Sequence, residues 1–254
     1  MANTATQAVG IDIGGTGIKG GLVDLIKGDL ISDRIKVSTP EGAEPPDVLA
    51  AVTTVLETLG VDDHSVPLGV AFPAIVKRGR TLSAANVSDA WIDFPAEQFF
   101  EDGLGRDIHF ANDADVAGLA EVRYGAAKKE RGLTILTTLG TGIGSAMIYK
   151  NKLIPNSELG HIPRPDAPTD AEDWAAYSAK ERDDLDWDAW AERLQWYYGL
   201  VEFLFTPDLF VVGGGVSKHA DKFLPLLDLK TKIVPAKHRN NAGIIGAASL
   251  ALKH

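Results

Sequence analysis

Apolar residues alternate with glycine and polar positions over residues 8–13, stop at Gly14-Gly15-Thr16, and resume over 18–23. That pattern predicts two short strands joined by a glycine turn. The same pattern returns later, with apolar runs at 133–139 and 143–149 flanking Gly140-Thr141-Gly142. Between the two hairpins the periodicity predicts a further antiparallel strand over 29–39. A helix follows over 45–59, with Pro near its start and Gly60 after its end. Residues 67–72 are an unbroken apolar run stopped by Pro73, the mark of a buried strand, and 108–111 is a short strand. Helices are expected over 95–104 and 113–124. After the second hairpin come a polar loop over 155–169, a helix-rich stretch over 170–205 and a buried strand over 208–212. A Gly213-Gly214-Gly215 loop then precedes helices over 217–227 and 240–252. Strands precede helices in both halves, which defines an α/β protein with central sheets.

The two hairpins are an internal repeat. Gly15-Thr16-Gly17-Ile18 recurs as Gly140-Thr141-Gly142-Ile143, half a chain later, with matching small and apolar flanks. Such spacing suggests a duplicated domain whose two phosphate loops face one another across a cleft. Glycines without Cβ let successive N–H groups converge on an oxyanion, and Thr16 and Lys19 add a hydroxyl and a positive charge. Asp12, on the strand entering the first turn, stands where a divalent cation accompanying a phosphate is held, directly or through water. A tight hairpin using glycine for geometry alone is the alternative. Neither G-x-G-x-x-G opening a helix nor a P-loop pattern is present.

Charge and composition narrow the field. The chain has 254 residues, a net charge of −10 and no cysteine, which excludes disulfides, zinc–cysteine sites and thiol nucleophiles. It shows no leader-like N-terminus and no apolar run of membrane-spanning length, so a cytoplasmic protein without a membrane or nucleic-acid partner is expected. The charge is uneven. Residues 155–195 carry eleven acidic against four basic side chains, whereas 215–254 carry seven basic against two acidic. A basic last sixth on an acidic protein offers a place to receive a polyanion, and a solvated lysine-rich face is the plainer reading.

Asn112 and Asp113 fall at a strand-to-helix junction, where α/β proteins place catalytic side chains. A carboxylate there can take the proton from a hydroxyl that attacks a phosphoryl group, or it can simply cap the helix. Glu158 and His161, just after the second hairpin, suit the vicinal hydroxyls of a sugar, and Asn86 offers another polar contact. A histidine–carboxylate metal site is disfavoured by the lack of cysteine and the small number of histidines.

Together these segments resemble the ROK family of sugar kinases. The carriers are D-I-G-G-T-G-I-K-G-G at 12–21, S-A-A-N-V at 83–87, N-D-A-D at 112–115, L-G-T-G-I-G-S-A at 139–146, E-L-G-H at 158–161, V-E-F-L-F-T-P-D-L-F-V-V-G-G-G at 201–215 and I-V-P-A at 233–236. The resemblance covers nearly the whole chain and is strongest to the polyphosphate-using branch. It implies an actin-like, ribonuclease H-like fold of two lobes with a cleft between them. Residues 1–112 would form a small lobe, 113–240 a larger one, with the last helix, 241–254, packing back on the first. It implies Mg²⁺ and transfer of a terminal phosphoryl group to the 6-hydroxyl of glucose, with Asp113 as general base. Asn86, Asn112, Asp113, Glu158, His161 and Glu172 are then sugar contacts, Glu172 being reached after a loop slightly longer than the family pattern. Gly14, Gly15, Thr16, Gly17, Lys19, Thr138, Gly140, Thr141, Gly142, Gly144, Gly214 and Gly215 are phosphate contacts, and Asp12 serves Mg²⁺. Many ROK proteins carry a cysteine-rich zinc motif that this chain lacks, so zinc is not expected.

A polyphosphate donor offers no base to stack on and needs a basic track. Lys218, Lys222, Lys230, Lys232, Lys237 and Arg239 are the candidates for it. The expectation is a polyphosphate-dependent glucokinase, with ATP as a further donor, mannose as a further acceptor and a homodimer by resemblance. A strictly ATP-dependent ROK hexose kinase is the nearest rival. A sugar-sensing ROK repressor is more remote, because only about eight residues precede the first turn and a DNA-binding domain does not fit there.

Overall fold

The computed structural model describes residues 5–61 and 63–252, so Lys253 and the end of the expected last helix lie outside the described residues. The chain divides into two compact units, 1–120 with 241–254, and 121–240.

In the first unit, β1 (Gln7–Gly14) and β2 (Gly17–Asp24) form the hairpin, closed by Gly14 opposite Gly17. The strand expected over 29–39 is two short pieces, β3 (Asp29–Leu30) and β4 (Ile35–Val37), both paired with β2. The break between them is local chemistry: Ser32 Oγ accepts the Leu22 amide at 2.9 Å, taking the place of a ladder bond. Helix α1 (Pro45–Leu59) starts on proline and ends at Gly60, whose φ of 63° lets its amide reach Glu57 O. Strand β5 (Leu68–Phe72), a small hairpin of β6 (Val76–Lys77) and β7 (Arg80–Thr81), α2 (Ala96–Leu104) and β8 (His109–Asn112) follow. The sheet runs β3-β2-β1-β5-β8. Val9, Ile11 and Ile13 turn one face of β1 into a core with Val52, Val55, Phe72, Trp91 and Phe100.

The other face lies under the last helix, α7 (Ala242–Ser249). A Cβ on Gly10 would sit 1.9 Å from Ile244 O, and one on Gly69 equally close to Ala247 O, so the helix backbone rests directly on sheet backbone. Helix α3 (Asp113–Tyr124) joins the same layer through Val116, which packs with Ala71 and Ala247. This packing places 113–120 with the first unit, so the division falls at 120/121 and not at the expected 112/113. With 241–254 included, that unit is not the smaller one.

The second unit repeats the plan. Strands β9 (Leu133–Leu139) and β10 (Ile143–Tyr149) form a hairpin, β11 (Lys152–Ile154) extends it, and β12 (Leu209–Gly213) and β13 (Lys232–Pro235) add in parallel. The order β11-β10-β9-β12-β13 matches β3-β2-β1-β5-β8 in strand sense, hairpin first and parallel strands after. Helices α4 (Ala171–Ala175), α5 (Tyr177–Arg182) and α6 (Trp187–Phe205) fill the expected helical stretch. Trp190, Leu194, Tyr197, Tyr198 and Val201 recur at helical spacing on α6 and are fully buried. The Tyr198 hydroxyl meets Thr137 Oγ1 at 2.5 Å inside that core.

The helix expected over 217–227 is instead two 3₁₀ segments, Gly215–Lys222 and Leu224–Leu226. His219 leaves helical geometry at φ −111°, and Pro225 supplies no amide, so apolar periodicity alone could not sustain an α-helix. Among the described residues no helix is long and apolar enough to cross a membrane.

Candidate active site

The first glycine turn is built by strand register. A two-residue turn at Gly15-Thr16 sets Asp12 opposite Lys19, and their side chains pair at 3.1 Å. The Asp12 carboxylate also lies against the first turn of α7, its oxygens within 2.8 Å of where a Cβ on Gly243 would be. A helix N-terminus favours that negative charge. Thr39 Oγ1 donates to Gly14 O at 2.5 Å, and Asn86, held at φ 60°, presses on Gly15 so closely that a Cβ there would lie 2.6 Å from its own. Gly15 and Thr16 remain exposed.

At the end of β8, Asn112 takes the capping role. Its Oδ1 accepts the Asp115 amide at 3.0 Å, and its Nδ2 donates to Ala74 O at 3.0 Å. Both polar atoms of Asn112 therefore hold backbone. Asp113, half-buried, accepts the amide of its neighbour Ala114 at 2.8 Å and is not the residue that caps α3.

In the second unit one cluster joins a glycine turn to the sugar-binding candidates. Gly140 N donates to Gly142 O, while Ser178 fastens the turn from outside, its amide to Gly140 O and its hydroxyl to Thr141 O at 2.5 Å. Glu172 Oε2 accepts the Ile143 amide at 2.9 Å, and a Cβ on Gly142 would lie 2.3 Å from that oxygen. The other oxygen of Glu172 lies 3.9 Å from His161 Nδ1. His161 Nδ1 is bonded to Asp170 at 2.8 Å, and its Nε2 stands 4.0 Å from Glu158. Gly214, at φ 81°, is packed on the backbone of Leu139, where a Cβ would meet the carbonyl at 2.3 Å, so the 213–215 loop lies against the same turn. Thr138 and Gly144 are register partners at the base of the hairpin.

Three carboxylates around one imidazole shape its protonation. The hydrogen bond from Asp170 is the main cause holding the His161 pKa above 6.5, with burial opposing and the charges of Glu172, Asp170 and Glu158 adding. Burial raises the Glu158 pKa above the ordinary glutamate value; His161 pulls it down and Glu172 pushes it up. Asp170 uses its second oxygen to cap α4, accepting the Asp173 amide at 3.0 Å.

The members of the expected basic track differ in how far they are already engaged. Lys237 is committed to structure, its ammonium to Tyr124 O and its amide to the buried Glu121, which also accepts the amides of Ala126 and His238. Lys222 lies 5.4 Å from the Trp187 ring centre, and Lys218, Lys230, Lys232 and Arg239 are exposed.

For a divalent cation, Asp12 supplies one partly exposed carboxylate already paired with a lysine. That set fits an ion kept mostly by phosphates and water, the habit of Mg²⁺. The donor atoms of His161, Asp170 and Glu172 also lie within 4.8 Å of one another, though hydrogen bonds to each other and to Ile143 already engage them.

Asp170 and Ser178 belong to this cluster without having been expected from sequence. Asp170 carried one visible signal, a capping residue opening a helix ahead of Glu172; Ser178 carried none.

Each unit carries a glycine turn on a sheet of the same strand order, the first with a strand-end aspartate and the second with a Glu–His–Glu cluster, on the actin-like fold of a sugar kinase. A model of the ROK family matches residues 8–172, and the chain belongs to that family. It is 46% identical to the polyphosphate glucokinase of Mycobacterium tuberculosis (strain CDC 1551 / Oshkosh) over 97% of this chain and 92% of the relative. The crystal structure of the inorganic polyphosphate/ATP-glucomannokinase from Arthrobacter sp. strain KM superposes with a TM-score of 0.92 at 50% identity, covering 98% of this chain and all of that one. A ROK family glucokinase from Streptomyces griseus, crystallised with glucose and AMPPNP, gives 0.82 at 25% identity over 96% and 98% of the two chains.

Proposed function

We propose that this protein transfers the terminal phosphoryl group of inorganic polyphosphate to the 6-hydroxyl of glucose, with ATP as a second donor and mannose as a second acceptor. The observation that carries the reading is Glu172. One carboxylate touches both the second glycine turn and the imidazole of the sugar cluster, so donor and acceptor contacts are built as neighbours. The similarity to a polyphosphate glucokinase and to a polyphosphate/ATP-glucomannokinase supports the choice of substrates.

In the reaction an O6–P bond forms and the bridging P–O bond of the terminal phosphate breaks. The polyphosphate leaves one unit shorter, and the hydroxyl proton passes to Asp113. Asp113, half-buried at the first residue of α3, is the carboxylate assigned that task, and Asn112 beside it caps the helix. Glu158, His161 and Glu172 orient the sugar hydroxyls, with Asn86 adding a polar contact. The glycine turns at 14–17 and 140–144 and the loop at 214–215 receive phosphate oxygens. A phosphoryl transfer of this kind uses a divalent metal; Mg²⁺ held through water by Asp12 would neutralise charge on the phosphates.

Initial rates with glucose or mannose, and with polyphosphate or ATP, in the presence and absence of Mg²⁺, test the substrates. Glucose with polyphosphate should turn over, and turnover with ATP alone would leave a strictly ATP-dependent hexose kinase. Asp113→Asn should lower kcat by about 10²-fold or more with a small change in glucose affinity. A near-normal kcat would remove the base assignment.

A further inference from the structure

Strand β4 pairs with β2 so that Lys36 stands opposite Lys19, and Lys19 stands opposite Asp12. Opposite partners share a sheet face, so the three side chains form a row across β1, β2 and β4. Within that row Lys19 is already neutralised by Asp12 at 3.1 Å. Lys36 has no hydrogen-bond or ion-pair partner among the described residues, and it is exposed. Its stem runs back along the strand to the turn, where Cε lies 2.7 Å and Nζ 3.6 Å from the position a Cβ on Gly17 would take. Glycine at 17 thus makes room for a lysine, and the uncommitted ammonium is delivered beside the exposed Gly15 and Thr16.

An unpaired cation set against a turn of exposed amides is the arrangement that receives an oxyanion. We infer that Lys36 binds the phosphate chain of the donor at the first glycine turn, a role that rests on the donor being such a chain. Lys36 then supplies the charge that the pairing of Lys19 with Asp12 withholds from the turn.

The test compares the wild type with Lys36→Ala, Lys36→Arg and, as a distant exposed control, Lys152→Ala. Initial rates are measured against polyphosphate, ATP and glucose at several salt concentrations. Lys36→Ala should raise the KM for polyphosphate about tenfold, the worth of one charge-assisted contact, with kcat and the glucose KM within about twofold. The slope of log affinity against log salt should fall by about 0.7, one phosphate contact. Arginine should restore most of the loss, and Lys152→Ala should change nothing. An unchanged polyphosphate KM and salt slope in Lys36→Ala would overturn the assignment. If the wild type uses ATP and not polyphosphate, the polyphosphate reading fails instead; Lys36 is then judged on the KM for ATP, where a similar rise supports it and no rise overturns it.

Discussion

The two glycine turns descend from one pattern and share strand order, yet different chemistry surrounds them. The first, in β1–β2, is flanked by two cations, Lys19 tied to Asp12 and Lys36 uncommitted, and Asn86 presses on Gly15 with its Cβ and backbone oxygen. The second, in β9–β10, is gripped by a carboxylate and a hydroxyl, Glu172 at Ile143 and Ser178 at Thr141. A carboxylate beside a phosphate turn repels the donor unless it serves something else. In the proposed function Glu172 serves the acceptor cluster, through its approach to His161. The two turns repeat one pattern, and their surroundings differ: side-chain amines stand by the first, and a carboxylate shared with the His161 cluster stands by the second, the junction of the two substrates in the proposed function.

Breaking that junction should have the largest effect. Glu172→Gln keeps the volume and an oxygen that can accept the Ile143 amide but removes the charge beside His161, and should raise the glucose KM about tenfold or more with little change in the KM for the donor. An unchanged glucose KM would mean that the charge of Glu172 does not serve the sugar cluster.

The glycines sharpen the contrast at smaller scale. Gly142→Ala forces Glu172 aside and should raise the glucose KM several-fold, roughly 3- to 10-fold, whereas Gly140→Ala meets open space and should change it by less than about twofold. Equal effects of the two alanines would deny that Glu172 links turn and sugar.

The smallest expected effect is in pH. Because burial raises the Glu158 pKa, that carboxylate takes up a proton at a pH where an ordinary glutamate is still ionised, so glucose affinity should fall early on the acid side. Because Asp170 raises the His161 pKa, the imidazole should titrate above 6.5 by NMR, and Asp170→Asn should lower that value. The sign for stability follows: the His161 contribution is full below its unfolded pKa and is lost as pH rises through the folded one. Titration at or below 6.5 in the wild type would remove Asp170 from the site.

Much of this was legible in the sequence, and the reasons differ by residue. The hairpins could be read because alternation and glycine spacing are local. Even the Asp12–Lys19 pair is implied once the turn is two residues long. Glu158, His161 and Asp113 stood in short motifs. Lys36 was not legible as a site residue, because its place depends on β4 rejoining β2 after the interruption at Ser32. The helix over 217–227 misled because periodicity is blind to one non-helical φ and one proline. Charge counts do not show that the Lys237 ammonium is held by a backbone carbonyl, so that member of the expected track could not be told from the others by sequence.

The two oxygens of Asp170 have a consequence for how this enzyme family can vary. One oxygen starts α4 and the other holds His161; Ala171 N bonds to Ile162 O and Arg164 N to Thr169 O. The stem of the intervening loop is thus stapled shut at its base, and its tip, 165–168, hangs outside the staple. Lengthening the tip costs only the slow logarithm of loop closure, so extra residues there do not reach the sugar. The tip is thereby marked as a graft site for peptide insertions that leave the contacts of Asp170 and Glu172 in place.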